Sequence, residues 1–177
     1  APTVNITSPA SGASYPKNGS IALTADARDF DGYVSSVEFL VNGTGSLGQA
    51  TLTQANTFTR VWSTSQPGTY SVTAKAIDDA GLITISNPIT VTVTNNPPTV
   101  SIMSPANGST FGPLPSITLS ADASDSDGYF NSVDFYDGSI LLGSAYSSPY
   151  EFLWSNAGSG SHVLTAKVTD DNAAVTT

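Results

Sequence analysis

The chain carries one sequence twice, and this repetition limits it to two copies of the same small domain. When the sequence is shifted by 96 positions, 21 of the 39 residues from position 2 to position 40 are identical to their partners. Each copy repeats the same order of motifs, from Pro-Thr-Val through Ser-Pro-Ala to an acidic Asp-x-Asp-Gly-Tyr turn. The repetition predicts domains over residues 1–96 and 97–177, joined by a short, semi-rigid linker at Asn95-Asn96-Pro97-Pro98.

The apolar residues of each copy recur at every second position, which is typical of β-strands. Seven short strands are predicted in the first copy, near residues 3–8, 20–28, 34–41, 46–52, 57–62, 69–77 and 83–93. Asn42-Gly43 and Asp137-Gly138 stand where a tight hairpin turn requires positive φ. Seven strands with turn signals at this spacing predict an all-β fold, a sandwich of two antiparallel sheets in each copy.

Two tryptophans are the predicted anchors of the two cores. Trp62 and Trp154 occupy corresponding positions, each with an aromatic residue four positions earlier. Arg60 interrupts the inward face of its strand, so we expect it either at the rim, with its stem on the core, or beside a bulge. Pro88 lies within the predicted last strand and favours an edge strand or a bulge, because proline donates no ladder hydrogen bond.

The second copy ends before the counterpart of the last predicted strand. Thr177 aligns with Ile85, so nothing corresponds to residues 86–94. One explanation is the boundary of a fragment cut from a longer parent, in which a leader peptide would lie further upstream or have been removed. The other is a sheet edge that another chain completes, since unpaired strand edges are templates for pairing.

Composition and charge exclude several classes of function. The formal net charge is −9, from 14 acidic and 5 basic residues, which argues against nucleic acid and against anionic membranes as partners. The chain has no cysteine, so disulfides, thiolate nucleophiles and cysteine zinc sites are absent. No window has the roughly 20 apolar residues of a membrane span. The negative net charge implies an attraction for cations.

The ordered motifs of both copies resemble those of bacterial Ig-like domains. The motifs are Pro-Pro-Thr-Val, Ser-Pro-Ala-x-Gly, Ala-Asp-Ala-x-Asp-x-Asp-Gly, Ser-Val-[Glu/Asp]-Phe, Leu-Gly, Trp and Ala-Lys-x-x-Asp-Asp. Such domains stand, often in tandem, beside catalytic domains in secreted polysaccharide-degrading enzymes such as chitinases and cellulases, and in large surface proteins. The resemblance implies two immunoglobulin-like sandwiches and an extracellular bacterial location, secreted or on the cell surface. Ala173 replaces the Gly81 of the first copy, and we expect an altered turn there.

Acidic turns form the candidate metal sites. In an Ig-like sandwich the loop after the second strand and the loop before the last strand lie at the same end. The carboxylates expected to cluster are Asp29, Asp31, Asp78 and Asp79 in the first copy and Asp125, Asp127, Asp170 and Asp171 in the second. Ca²⁺ takes six to eight oxygen ligands from such loops and from backbone carbonyls, so calcium is the predicted cofactor. The alternative is that these residues only cap turns through neighbouring backbone amides.

Carbohydrate binding would require exposed aromatic faces. The candidates are Phe30, Tyr33, Tyr129 and Tyr136, with Phe130 and Tyr146 nearby. Phe30 becomes Ser126 in the second copy, and Tyr136 is Leu40 in the first, so no aromatic platform is repeated. We therefore expect most of these rings to pack on the core or its rim.

Catalysis is not expected of this chain. His162, the only histidine, replaces Tyr70 as a strand residue, so a Ser-His-Asp triad would exist in only one of two equivalent domains. The leading hypothesis is a noncatalytic extracellular accessory module, a semi-rigid and stabilising spacer whose partners are the catalytic and other domains of one parent chain. The parent is expected to be a glycoside hydrolase. The alternatives are a carbohydrate-binding module, with polysaccharide as the partner, and a stalk segment of a bacterial adhesin.

Overall fold

The structure, a computed structural model, describes all residues from 1 to 177 and divides into two compact units. Unit 1 comprises Ala1–Thr94 and unit 2 comprises Asn95–Thr177. The division lies two residues before the predicted boundary, because Asn95 and Asn96 are hydrogen-bonded to side chains of unit 2. Both units consist of β-strands and connecting loops alone, which confirms the predicted all-β fold.

Unit 1 is a sandwich of two sheets. Its strands are β1 (Thr3–Ser8), β2 (Ala13–Pro16), β3 (Ile21–Arg28), β4 (Val34–Val41), β5 (Gly45–Gln49), β6 (Thr51–Gln54), β7 (Thr57–Trp62), β8 (Gly68–Asp78), β9 (Ile83–Ile85) and β10 (Ile89–Thr94). One sheet has the order β1-β3-β7-β6, and the other has the order β2-β10-β8-β4-β5, with β9 also paired to β8. Strand β2 runs parallel to β10, and the remaining pairs are antiparallel.

The core of unit 1 follows from the alternation of its strands. In β3 every second residue is buried, from Ile21 to Ala27, and the residues between them face outward. The facing sheet contributes Val37 and Phe39 from β4, both of which are fully buried. Burial of such side chains stabilises the fold by about 1.5–3 kcal/mol each, which makes this alternation the main determinant of the sandwich.

The structure corrects two predicted strands of unit 1 and adds one that was not predicted. The segment predicted as one strand over 83–93 is two strands, because Ser86 turns inward and its amide donates to the Ala74 carbonyl at 2.8 Å. Pro88 lies between these strands rather than in an edge strand or bulge. The run 46–52 also divides, into β5 and β6, which belong to different sheets. Strand β2 was not predicted, because it is only four residues long and has just two inward-facing residues, Ala13 and Tyr15.

Unit 2 repeats this arrangement with fewer strands. They are β11 (Thr99–Ser104), β12 (Ser116–Ser124), β13 (Phe130–Asp137), β14 (Ile140–Ala145), β15 (Tyr150–Ser155), β16 (Leu164–Asp170) and β17 (Val175–Thr176). The sheets have the orders β11-β12-β15 and β14-β13-β16-β17. No strand of unit 2 corresponds to β2, β6 or β10 of unit 1, and the counterpart of β10 would lie beyond Thr177, which aligns with Ile85.

The turns and core anchors differ between the units. Asn42 and Gly43 have φ of 50° and 87°, as predicted, whereas in the second hairpin Gly138 has positive φ and Asp137 remains in the strand. Trp62 is buried, with 9% of its surface exposed, and packs edge-on against Tyr70. Trp154 packs against the core of unit 2 as predicted but is only half-buried.

The charged residue on the inward face of β7 lies at the rim of the sandwich. The Arg60 side chain is exposed and lies over Gly48, where its Nη2 is 3.0 Å from the position that a Cβ on Gly48 would take. Phe152 takes the equivalent place over Gly143 in unit 2 and stacks on Phe135, with ring centroids 6.4 Å apart. The rim alternative for Arg60 is therefore the correct one.

Candidate functional site

The predicted carboxylates come together in one acidic cluster at one end of each unit. The acidic cluster of unit 1 consists of Asp29, Asp31, Asp78 and Asp79, from the β3–β4 and β8–β9 connections. The acidic cluster of unit 2 consists of Asp125, Asp127, Asp170 and Asp171, from the β12–β13 and β16–β17 connections. The loops meet because β4 pairs with β8, and β13 with β16, up to the ends from which the loops leave.

In unit 1 the cluster surrounds a positive charge. The Ala1 ammonium lies 3.7 Å from Asp29 Oδ1, 3.9 Å from Asp31 Oδ1 and 3.6 Å from Asp78 Oδ2. The Asp29 and Asp78 side chains are 3% and 2% exposed, whereas Asp31 is 85% exposed. Two buried carboxylates and one at the surface thus converge on a single cation.

A reciprocal pair of hydrogen bonds holds the two loops of each cluster together. The Tyr33 amide donates to Asp79 Oδ1 at 3.3 Å, and the Asp79 amide donates to the Tyr33 carbonyl at 3.1 Å. In unit 2, Tyr129 and Asp171 make the same pair of bonds, at 3.5 and 3.0 Å. A Cβ on Gly32 would collide with Asp79 Oδ1, which explains the glycine in this motif. The second aspartate of the Asp-Asp motif therefore joins the two loops of each cluster.

The first carboxylate of the Asp-Asp motif orders the turn that follows it. Asp78 Oδ1 accepts the amides of Ala80 and Leu82 at 3.0 and 2.8 Å. Asp170 Oδ1 accepts the amides of the corresponding residues of unit 2 at 2.9 and 2.8 Å. Ala173 has φ 66°, close to the 80° of Gly81, so the expected alteration of this turn is wrong. Capping of the turn thus accounts for one oxygen of Asp78 and one oxygen of Asp170.

Two linker residues, which the sequence did not indicate as site residues, complete the cluster of unit 2. Asn95 Nδ2 donates to Asp170 Oδ2 at 2.6 Å, and the Asn96 amide donates to Asp127 Oδ2 at 2.9 Å. Asn96 Nδ2 also lies 3.4 Å from Ser126 Oγ. In the shift-by-96 alignment these asparagines stand just before the position of Ala1, so both clusters receive donors from the segment that precedes β1 or β11.

Several buried oxygens of the clusters have no hydrogen-bond donor. They are Asp29 Oδ1 in unit 1 and Asn95 Oδ1 and Asp125 Oδ2 in unit 2. Asp125 uses its other oxygen to accept the amides of Asp127 and Gly128 at 3.1 and 3.2 Å. A buried oxygen without a donor is costly, and a cation would offset that cost. No three carboxylates or imidazoles form a metal-binding group by themselves, so a cation would also need amide or backbone oxygens as ligands.

The electrostatics of the unit 1 cluster favour a bound positive charge. Burial raises the pKa of the Asp29 carboxyl above its ordinary value, and the neighbouring Asp31 carboxyl raises it further. The Ala1 ammonium lowers the same pKa, and Asp78 adds a smaller rise. Removing a cation from this cluster therefore favours protonation of Asp29.

The aromatic candidates divide into exposed and packed rings. Phe30 is 87% exposed, Tyr33 65%, Tyr129 64% and Tyr146 77%, so the expectation of packing is wrong for these four. Phe130 packs on the core of unit 2, and Tyr136 is half-buried on β13. Phe30 and Tyr33 lie on the same loop as Asp29 and Asp31, and the structure adds no second aromatic row.

His162 lies just before β16 and has partners that the sequence did not indicate. Its Nδ1 lies 2.7 Å from Asp137 Oδ2, and its Nε2 lies 3.1 Å from the Gly158 carbonyl. The hydrogen bond to Asp137 is the largest cause that raises the pKa of the imidazole above its ordinary value, and the Gly158 carbonyl adds to it. Its ring also packs edge-on against Trp154 at 4.9 Å. With no serine in this set, the arrangement links two loops and is not a nucleophilic triad.

Comparison with known proteins gives one family. The model of the bacterial Ig domain matches residues 2–74 and 98–166. The fibronectin(III)-like modules of Clostridium thermocellum CbhA are 30% identical, with 99% of this chain and 90% of that chain covered and a TM-score of 0.46. A search of curated proteins gives no match.

Two further structures are similar at low identity. A putative membrane-anchored protein from Corynebacterium diphtheriae is 14% identical, with 97% of this chain and 56% of that chain covered and a TM-score of 0.43. The Bacteroides ovatus protein SGBP-B, solved with a mixed-linkage heptasaccharide, is 13% identical, with 98% and 45% covered and a TM-score of 0.37. No helix of the kind that crosses a membrane is present in this chain.

The family match falls on both repeats and includes the first carboxylates of each acidic cluster. Domains of this family are generally noncatalytic. Two matches of this length, 96 residues apart, agree with the internal repeat and with the two sandwich units. The chain therefore belongs to the bacterial Ig domain family, as a tandem of two such domains.

Proposed function

We propose that the chain is a noncatalytic accessory tandem that sets the spacing between other domains of a secreted or surface polysaccharide-degrading enzyme. The observation that carries this proposal is the pair of hydrogen bonds that hold the linker residues Asn95 and Asn96. Asn95 and Asn96, which follow β10 directly, are bonded to Asp170 and Asp127 of the next unit. Pro97 and Pro98 follow and keep the backbone extended. Because Asn95 directly follows Thr94, no free residue separates the last strand of unit 1 from the bonded residues of unit 2, and a junction this short limits the motion between the two units.

A distance measurement tests the spacer function. The chain has no cysteine, so Val61→Cys and Leu153→Cys, at sites that are 64% and 57% exposed, give one spin label in each unit. A narrow distribution of label-to-label distances in pulsed electron resonance is expected. Replacing residues 95–98 by Gly-Ser-Gly-Ser is the matched control and should broaden it. An equally broad distribution before and after the replacement contradicts the spacer proposal.

Cation binding by the acidic clusters is a second function that the geometry favours. The supporting observation is the set of buried oxygens without donors, Asp29 Oδ1 in unit 1 and Asp125 Oδ2 and Asn95 Oδ1 in unit 2. Ca²⁺ suits such a site better than Mg²⁺, because it accepts irregular sets of carboxylate, amide and backbone oxygens. A bound Ca²⁺ would also hold the linker asparagine against unit 2.

Thermal unfolding with calcium and with a chelator tests this second function. Millimolar calcium is expected to raise the Tm of the chain relative to the chelator, and magnesium is expected to do so less. Asp29→Asn and Asp125→Asn together should abolish the calcium shift. Asp26→Asn is the matched control, since Asp26 only accepts the Thr57 hydroxyl at 2.9 Å on the face of the sheet. An equal Tm in calcium and in chelator would contradict cation binding by the acidic clusters.

The alternative of a carbohydrate-binding module rests on the exposed rings of the acidic loops. A pull-down on chitin, cellulose and xylan, with albumin as the control protein, separates it from the spacer. Depletion from one polysaccharide that is lost in Phe30→Ala, Tyr33→Ala and Tyr129→Ala would establish binding. Tyr136→Ala serves as the comparison, since that ring is half-buried on β13. No depletion leaves the spacer as the function.

A further inference from the structure

Strands β1 and β10 of unit 1 leave the sandwich at opposite ends. Thr3, at the start of β1, pairs with Arg28, which directly precedes the first acidic loop. Strand β10 runs away from the acidic end, because Val93 near its end pairs with Gly68, the first residue of β8, and β8 runs to the acidic cluster. A force applied between Thr3 and Thr94 therefore acts along the strands rather than across them.

The shortest path for such a force crosses the parallel pair β2–β10. Strand β1 belongs to one sheet, and after residues 9–12 the chain continues as β2 in the other sheet. There β2 pairs with β10, from Ala13 with Val91 to Pro16 with Thr94. A pull on β1 draws β2 toward the acidic end, while a pull on Thr94 draws β10 the opposite way. The pair is thus loaded in shear.

Hydrogen bonds outside the ladder extend this pair at the end nearer the acidic cluster. The Gly12 amide donates to the Thr90 carbonyl at 2.7 Å. The Thr90 amide donates in turn to Ser11 Oγ at 3.1 Å. The segment before β2 and the start of β10 are therefore joined in both directions.

The other end of the pair is extended in the same way. Pro16 has no amide hydrogen to donate. The Lys17 amide takes this role and donates to the Thr94 carbonyl at 2.8 Å. Thr94 Oγ1 donates to the Tyr15 carbonyl at 3.2 Å. We call the joined segments, residues 11–17 and 90–94, the mechanical clamp.

Apolar side chains shield the inner face of the mechanical clamp from water. Val91 and Val93 of β10 are 0% and 2% exposed. Ala13 and Tyr15 of β2 are half-buried on the same side, and Tyr15 packs against the core. Hydrogen bonds in such surroundings are electrostatically stronger than bonds that water can reach. The clamp is therefore more than an exposed edge of the sheet.

We propose that unit 1 bears tension along the chain, and that the mechanical clamp is the element that resists it. The bonds of the clamp share a load parallel to the strands, so they must lengthen together before the strands separate. A load across the strands, applied at one end, would instead break the bonds one after another. This function goes beyond that of a spacer, which depends on the junction between the units and not on strand pairing within unit 1.

Single-molecule pulling of the full chain in two directions tests the proposal. Because the chain has no cysteine, Ala1→Cys with Pro97→Cys gives one attachment on each side of unit 1 and loads the clamp in shear. Ser20→Cys with Pro97→Cys keeps the second attachment and moves the first to the exposed residue before β3, at the end where Thr94 lies. At equal loading rate, the unfolding force is expected to be several-fold higher for the first pair.

A double variant tests the clamp itself. Ser11→Ala with Thr94→Val removes one side-chain hydrogen bond at each end of the clamp. It should lower the unfolding force for the Ala1 attachment more than for the Ser20 attachment. Thr57→Val is the matched control, because it removes a bond of the same kind, to Asp26 Oδ1 at 2.9 Å, between β3 and β7. The control should leave both forces nearly unchanged.

Two results would overturn the proposal. One is an equal unfolding force in the two pulling directions. The other is a double variant that unfolds at the same force as Thr57→Val when pulled through the Ala1 attachment. Either result together with a narrow label-to-label distance distribution would refute the clamp and leave the spacer function intact. A broad distribution together with a direction-dependent force would do the reverse.

Discussion

The two tryptophans offer a matched test of how far each core is closed. Trp62 is 9% exposed and packs against Tyr70 at 5.2 Å, whereas Trp154 is half-buried. Removing a buried tryptophan side chain costs about 3–5 kcal/mol, from lost burial and from the cavity that remains. Trp62→Ala is expected to cost unit 1 that amount. Trp154→Ala should cost unit 2 roughly half as much, because much of its ring already contacts solvent.

Urea unfolding measures both losses with an internal reporter. In Trp62→Ala the remaining tryptophan reports unit 2 alone, while far-UV circular dichroism follows both units. With a urea m-value of about 1–3 kcal/mol/M, the midpoint of unit 1 should fall by at least about 1 M. The fluorescence midpoint of unit 2 should stay where it is. Val61→Ala, at a neighbouring side chain that is 64% exposed, should change stability by less than about 0.5 kcal/mol.

Equal losses in the two tryptophan variants would refute this reasoning. They would mean that Trp154 is as well covered in solution as Trp62. A loss confined to unit 2 in Trp154→Ala, and clearly smaller than that of Trp62→Ala, would agree with the half-buried position of Trp154. The comparison therefore measures how far each core covers its tryptophan.

Three further predictions concern unit 2. Gly143→Ala should destabilise it by about 1–3 kcal/mol in urea unfolding, because the new Cβ would overlap the Phe152 ring. Ala173→Gly should raise its Tm slightly, since the relief of about 1–2 kcal/mol of left-handed strain exceeds the entropic cost of glycine. The stability of unit 2 should fall as the pH rises above about 6.5, the ordinary pKa of histidine, because the hydrogen bond to Asp137 raises the pKa of His162 in the folded protein. That stabilisation is fully present below the unfolded pKa and is lost as the pH rises through the folded one.

Each of these predictions has its own control. Gly112→Ala should be nearly neutral, because no atom lies within 4 Å of the added Cβ. Gly81→Ala should lower the Tm of unit 1, since its φ is 80° and a left-handed alanine is strained. His162→Tyr, which installs the residue that unit 1 has at Tyr70, should remove the pH dependence of unit 2. If the stability of unit 2 still falls with rising pH in that variant, a group other than His162 is responsible.

The fold could be predicted because it depends on a local pattern that occurs in both repeats of the sequence. The alternation in β3 and the two acidic turns required no distant information, and the repeat confirmed each feature independently. What could not be predicted depended on distant partners. Strand β2 forms because β10 lies beside it, and the division of residues 83–93 depends on a bond between Ser86 and Ala74.

The candidate site was predicted in part for the same reason. The acidic turns are visible as motifs, and the topology of the family brings them together. Asn95 and Asn96 gave no such signal, since two polar residues before prolines are typical of any linker. His162 was misjudged because its partner Asp137 lies on another strand, 25 residues away. The exposure of Phe30 and Tyr33 depends on the loop conformation rather than on sequence alternation.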